Sequence, residues 1–251
     1  MTRPVILLPT YARTRWLEEQ MACLLAQDVA CKVLVVNDCP WQKLSYVGPM
    51  DDRVMIQCVN TDPFPTMGAK RNEMLRMAGS RLVLWADDDD LCLPWMVYRF
   101  ACRLNHAGAG KWALSWKDFN LHGDKWGLSQ WPLSCTGPAD EWLDRGGADE
   151  TDIGEDKSLR RKLGKDAMLI NCPAYVYRWG QGTHHLSGKS DPVAFPSYRE
   201  DAEKRRKTGT EPEGTVRLIP RLRARYWGNS PPEVKERLAR YLPTRWTYDL
   251  T

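Results

Sequence analysis

The 251 residues, 43% apolar and 27% charged, allow a sizeable core and lie too close to ordinary globular usage for a disordered, collagen-like or coiled-coil chain. No apolar run approaches the ~18 residues that a membrane span needs, and residues 1–4 lead into no signal-peptide core, so a cytoplasmic protein is expected. The net charge of +4 divides unevenly: residues 188–251 carry 14 Lys and Arg against 9 Asp and Glu, residues 1–187 carry 22 against 23, and such a basic segment suits a polyanionic partner or a solvated face.

Apolar, β-branched runs at 4–8, 32–36, 53–59, 81–86 and 112–116 predict strands. Between the first two, Leu17, Met21, Leu24 and Leu25 form the stripe of a helix over 14–27, with Thr14 in the place of an N-cap. Residues 68–78 and 94–105 read as further helices, the latter opening on Pro94. Strands alternating with helices predict a mostly parallel sheet covered on both faces. Residues 120–147, rich in Gly, Trp, Asp and Ser, read as loop. A helix at 155–163 and strands at 167–171 and 175–179 close this part, and one more helical pattern follows at 231–241. The composition shift at Gly188 divides the chain into 1–187 and a basic extension, 188–251. The eight cysteines include no C-x-x-C pair and are read as reduced thiols with no zinc site.

Four carboxylates, Asp87-Asp88-Asp89-Asp90, stand where an apolar strand ends. Beyond the carboxyl ends of parallel strands is where such sheets bind ligands. Two like charges about 5 Å apart repel by roughly 3 kcal/mol at an effective dielectric near 20, so the cluster calls for a cation, and an all-oxygen set suits Mg2+ or Mn2+. The alternative is a solvated acidic turn before the Pro94 helix. The turns after the first two strands, Pro9-Thr10-Tyr11-Ala12-Arg13 and Asn37-Asp38-Cys39-Pro40, share that edge. There Tyr11 can lie against a base, and Asp38 can accept from a base N–H or a ribose hydroxyl. Gly68-Ala69-Lys70-Arg71-Asn72 opens a helix with two cations, a place for a diphosphate. In the Gly-rich stretch after Trp179, His184 or, slightly preferred, His185 completes a metal shell, contacts phosphate or is simply structural. Trp112, Trp116, Trp126, Trp131 and Trp142 are candidates for an acceptor platform or, more commonly, core.

These residues resemble the family 2 glycosyltransferases of the GT-A fold. The opening motif is similar to Pro9-Thr10-Tyr11-x-Arg13, the nucleotide-contacting acid to Asp38, the helix start to Gly68–Asn72, and the D-x-D-D metal motif to Asp87–Asp90. Gly154-Glu155-Asp156 with Arg160 or Arg161 resembles the acidic-pair helix. Ala12 stands where the family usually has Asn, and Asn37-Asp38-Cys39-Pro40 replaces the commoner Asp-Asp-Gly-Ser. The resemblance implies an α/β GT-A domain, a single Rossmann-like, mostly parallel sheet flanked by helices, that takes a nucleotide-diphosphate sugar, a UDP-sugar above all. It further implies a donor held by Thr10, Tyr11, Arg13, Asp38, Lys70, Arg71, Asp87 and Asp88. Mn2+ or Mg2+ would sit on Asp87 and Asp89 with His185. Asp156, beside Glu155, would act as the base of an inverting transfer. The basic extension adds DNA, through a hydroxymethylated base, as an acceptor beside a bacterial surface glycan. Lys204-Arg205-Arg206-Lys207 alone would equally suit a non-catalytic nucleic-acid-binding protein, which leaves the aspartates unexplained.

Overall fold

Every residue of the first strand, β1 (Val5–Thr10), is buried, and the alternation of its side chains divides them between two cores. Ile6 and Leu8 pack with Leu17, Met21 and Leu24 of helix α1 (Thr14–Leu25) and Phe100 of α3 (Met96–Ala107). Val5 and Leu7 pack on the other face with Met74 and Leu75 of α2 (Met67–Ala78), Trp142 of α4 (Ala139–Asp144) and Leu159 of α5 (Glu155–Leu163). The computed structural model describes residues 3–48, 52–107, 112–115, 118–122, 125–129, 135–152, 155–163, 167–170, 173–179, 198–221 and 230–241.

The main sheet joins β1 to β2 (Cys31–Asn37) and β4 (Val54–Asn60) on one side and to β5 (Leu82–Trp85) on the other, all parallel. Beyond β5 lie the antiparallel β10 (Cys135–Pro138), then β7 (Trp112–Ser115) and β11 (Ala167–Ile170), which pair in parallel with each other. The chain therefore leaves β1 in one direction for β2 and β4 and returns to its other flank at β5. That reversal is a topological switch point, where the loops diverge and leave a crevice. Thr10 is level with Asn37, Leu7 with Trp85, and the Asp87–Asp90 turn follows at the same edge.

Two smaller sheets complete the fold: β6 (Leu91–Cys92), β12 (Tyr175–Trp179), β8 (Asp118–His122) and β9 (Lys125–Ser129) in one, and β13 (Gly214–Leu218) beside β3 (Gln42–Tyr46) in the other. The 120–147 stretch is thus not mainly loop: it holds most of β8, all of β9 and β10, and α4. Its strands are short, interrupted by Gly and Pro, and made by pairing with distant segments, which leaves little local signal. Helix α3 starts at Met96, two residues beyond Pro94, and the last helix is α7 (Pro232–Tyr241). Thr14 is not the cap of α1: Arg13 holds that position without a side-chain cap bond, and Thr14 is the first helical residue. Within the basic segment, α6 (Tyr198–Lys207) and β13 pack on the rest of the chain, β13 in parallel register with β3 from Gly214 opposite Gln42 to Leu218 opposite Tyr46.

Cys23, Cys31, Cys39, Cys58, Cys92 and Cys135 are free thiols, as expected; the side chains of Cys102 and Cys172 lie outside the described residues. Among the described residues no helix is long and apolar enough to cross a membrane.

Candidate active site

At the switch point three cations face five carboxylates. Lys70 Nζ donates to Asp38 Oδ1 at 2.6 Å and to the Thr10 carbonyl at 2.7 Å. Arg13 donates to Asp88 Oδ1 at 3.1 Å and Asp89 Oδ2 at 2.7 Å, while Thr10 Oγ1 donates to Asp88 Oδ2 at 2.7 Å. Arg71 bridges Asp87 Oδ1 and Glu155 Oε1, each at 3.1 Å, with its guanidinium 4.8 Å from the Trp85 ring centre. Every donor and metal residue expected from the sequence, His185 apart, belongs to these linked groups or, in the case of Tyr11, to the loop beside them. His184 and His185 lie outside the described residues.

The motif at the start of α2 has a separate physical reason at each position. Thr66 caps the helix by accepting from the Ala69 N–H. Gly68 donates its N–H to the Thr151 carbonyl so closely that a Cβ would fall 1.9 Å from the Asp149 oxygen. Asn72 clamps Ala148 through two bonds, accepting its N–H at 2.7 Å and donating to its carbonyl at 3.0 Å. The 148–152 segment is thereby held against α2, and α5 follows it with Glu155 and Asp156 at its start. Asp156 is placed as a backbone position; its side chain lies outside the described residues.

Three of the expected donor residues are bonded inward: Lys70 and Asp38 to each other, and Asp88 to Thr10 and Arg13. Lys70 and Asp38 are wholly buried and bonded to each other, and the second Asp38 oxygen accepts from the Phe64 N–H. Lys70 is a strut between β1, β2 and α2, and Asp38 supports the 38–64 wall from within. Burial pushes the Lys70 ammonium below its usual range, and the Asp38 charge works against that shift. Asp88 is likewise an internal anchor, 4% exposed and bonded to Thr10 and Arg13. The Asp87 side chain, by contrast, is 45% exposed and opens to the crevice.

Burial raises the Asp88 carboxyl above its usual range against the pull of Arg13, and burial together with Asp89 and Asp87 pushes Asp90 well above. Negative charge is in excess here, which is the condition a hard divalent cation relieves. Among the described residues no group of three or more His, Cys, Asp or Glu forms a cation site, so Asp87 and Asp89 would supply two oxygens and a diphosphate or water the others.

Two residues of β12 that no sequence motif marks brace this turn. Tyr175 accepts the Asp87 N–H at 2.9 Å and bonds the Asp90 carboxylate. Arg178, also on β12 and fully buried, bonds the Asp89 and Asp90 carbonyls and the Glu19 carboxylate and lies 4.9 Å from the Trp16 ring centre. An Arg between Tyr177 and Trp179 in an apolar strand was the available signal. Trp142, considered for an acceptor platform, is core: it is 1% exposed and stacks on Trp85 at 5.8 Å. Trp126 is half-buried edge-on against Phe119; the side chains of Trp112, Trp116 and Trp131 lie outside the described residues.

No protein-family model matches the chain, and no curated protein matches it. Solved structures do. S. aureus TarS 1–349 in complex with UDP-GlcNAc aligns at a TM-score of 0.60 with 17% identity, covering 77% of this chain and 63% of that one. The mannosyltransferase PcManGT from Pyrobaculum calidifontis, in complex with GDP-Man and Mn2+, aligns at 0.51 with 17% identity, covering 80% and 69%. The fold is GT-A. The chain spans 60% of another TarS 1–349 structure, which aligns at a TM-score of 0.53 with 15% identity. In this chain Thr10, Asp87 and the start of α2 meet at the strand ends, through Lys70 and Arg71.

Proposed function

We propose that the protein is a divalent-cation-dependent, inverting glycosyltransferase that uses a nucleotide-diphosphate sugar, a UDP-sugar in the first instance. The observation that carries this reading is the carboxylate excess at the GT-A switch point, with Asp87 open and Asp89 beside it. The likeness to structures holding UDP-GlcNAc and GDP-Man with Mn2+ supports it. Tyr11 flanks the nucleoside, and Arg71, held between Asp87 and Glu155, faces the diphosphate. Mn2+ or Mg2+ on Asp87 and Asp89 would supply positive charge to the departing diphosphate. Asp156 takes the proton of the acceptor hydroxyl, whose oxygen attacks the anomeric carbon opposite the leaving group and inverts it. Such general-base assistance is typically worth about 10²- to 10⁴-fold.

The division into a GT-A part, 1–187, and an extension, 188–251, belongs to the same proposal. For the acceptor, a hydroxymethylated base in DNA and a surface glycan are the two classes we carry. The ion pairs of α6 weigh against the first. Arg205 pairs with Asp201 and Glu211, Arg206 pairs with Glu203 and Glu213, and Lys207 pairs with Glu203, so three of the four cations in the Lys204–Lys207 run already face carboxylates.

The test is sugar release and transfer from a donor panel with Mn2+, onto hydroxymethylated DNA and glycan acceptors, for the wild type and Asp87→Asn. We expect chelator-sensitive turnover that Asp87→Asn abolishes at an unchanged melting temperature, because that side chain is half-exposed and makes one ion pair. Donor turnover indifferent to chelator and to Asp87→Asn would overturn the reading.

A further inference from the structure

The loop between β1 and α1 carries Tyr11 and Arg13 at the strand ends, and beyond the Arg13 bonds to Asp88 and Asp89 its own residues leave two positions without local support. Ala12 has φ of +51°, the only non-glycine with positive φ among the described residues, a left-handed conformation that costs free energy to a residue with a Cβ. Helix α1 then starts without a side-chain cap of its own. Both deficits are met from the basic C-terminal segment. Glu211, 5% exposed, accepts from the Thr14 N–H at 2.8 Å and from Thr14 Oγ1 at 2.6 Å, placing a carboxylate at the helix N-terminus nearly two hundred residues away in sequence. Arg205 donates to the Ala12 carbonyl at 2.6 Å and to Glu211 Oε2 at 3.1 Å, and its Nε donates to Asp201 at 3.0 Å. Gln42 donates to Glu211 at 3.2 Å and to the Pro212 carbonyl at 2.6 Å, and Ala202 packs against Ala12, Cys39, Tyr11 and Trp41.

We infer that α6 and the segment into β13 are a clamp on the donor loop, with Arg205 and Glu211 as positioning residues that set Tyr11 and Arg13 for the nucleotide. The inference rests on the donor reading above, and it gives the basic run a task inside the protein instead of at a polyanion. Arg205 acts by fork geometry, since three acceptors on two segments meet its guanidinium, and a lysine would carry the same charge without that fork.

The experiment compares Arg205→Lys, Glu211→Gln and the double variant Lys204→Gln/Lys207→Gln in the whole chain. Calorimetric titration with UDP and with GDP, each with Mn2+, is run beside donor kinetics and thermal melting. Arg205→Lys should weaken the nucleotide that the wild type binds by about tenfold, the loss of roughly one charge-assisted hydrogen bond. The donor KM should rise in proportion while kcat stays within about a factor of two. Glu211→Gln should behave in the same direction, and the double Lys variant, which removes more charge, should bind as the wild type. Unchanged nucleotide affinity in Arg205→Lys overturns the clamp, as does a loss of active fraction and melting temperature at unchanged KM, or an equal loss in the double Lys variant. A wild type that binds neither nucleotide overturns instead the functional reading on which the clamp stands.

Discussion

Single side chains at this site are chosen for contacts that a motif does not reveal. Gly68 is required because its Cβ would meet the backbone of Asp149 and not a flexible side chain that could turn away. Gly68→Ala should therefore destabilise the protein by about 3 kcal/mol, the upper end for overpacking. The urea midpoint at constant m-value measures this, and a loss below a few tenths would mean that the 149–152 segment can move aside. The Lys70–Asp38 pair gives a second case. Lys70→Met leaves a carboxylate buried without its partner and should cost about 3–5 kcal/mol, whereas Lys70→Met combined with Asp38→Asn should recover much of it. A double-mutant cycle in equilibrium unfolding reports the coupling, and additive losses would show that the pair is not coupled. The motif signal of Lys70 and Asp38 was legible in the sequence. That the two satisfy each other was not, because 32 residues separate them in sequence and only the packing of α2 on β1 and β2 closes the distance.

At the scale of elements, α5 presents two neighbouring acids whose tasks separate. Glu155 is buried and bonded to Arg71, so Glu155→Gln should loosen that guanidinium and raise the donor KM with kcat largely kept. Asp156→Asn preserves shape but removes the proposed proton acceptor and should lower kcat by at least about 10²-fold at unchanged donor KM. Steady-state kinetics with saturating acceptor distinguishes them, and the opposite pattern would transfer the base to Glu155. The helix itself was readable from its residues, as were β1, β2, β4, β5 and α2, whose apolar periodicity is strong. The strands β8, β9 and β10 were not readable, since residues such as Asn120, Gly127, Thr136 and Gly137 become strand only by pairing with β12, β5 and β7.

Across the whole molecule, burial keeps thiols protonated. It pushes Cys23 and Cys39 up to about 12 and Cys58 to about 11, and it raises Cys92 well above the ordinary thiol range. A group whose pKa is higher in the folded than in the unfolded state contributes stability that is complete below the unfolded value and lost as pH rises through the folded one. The denaturation midpoint should accordingly fall between about pH 9 and pH 12, the window between unfolded and folded thiols. Native-state thiol labelling at pH 8 should spare the buried Cys23, Cys39 and Cys92 until the chain unfolds. A midpoint flat across that window, or rapid native labelling of Cys23 and Cys92, would contradict the burial argument.

The alternating elements of the sheet and the acidic strand end are legible without coordinates, because apolar periodicity and a run of four aspartates are properties of neighbours along the chain. The sequence also marks Thr10, Tyr11, Arg13, Arg71 and Glu155 as a group. Which acids stay open and which are closed in on partners depends on packing between distant segments. Asp87 is open, while Asp38, Lys70 and Asp88 are closed in on partners. The same packing decides that the basic tail supplies the cap of α1 and the bond to Ala12, which chain composition had marked only as charge. The reason is physical: exposure and ion pairing depend on what is brought alongside from far away in sequence, and no local pattern encodes Glu211 meeting Thr14.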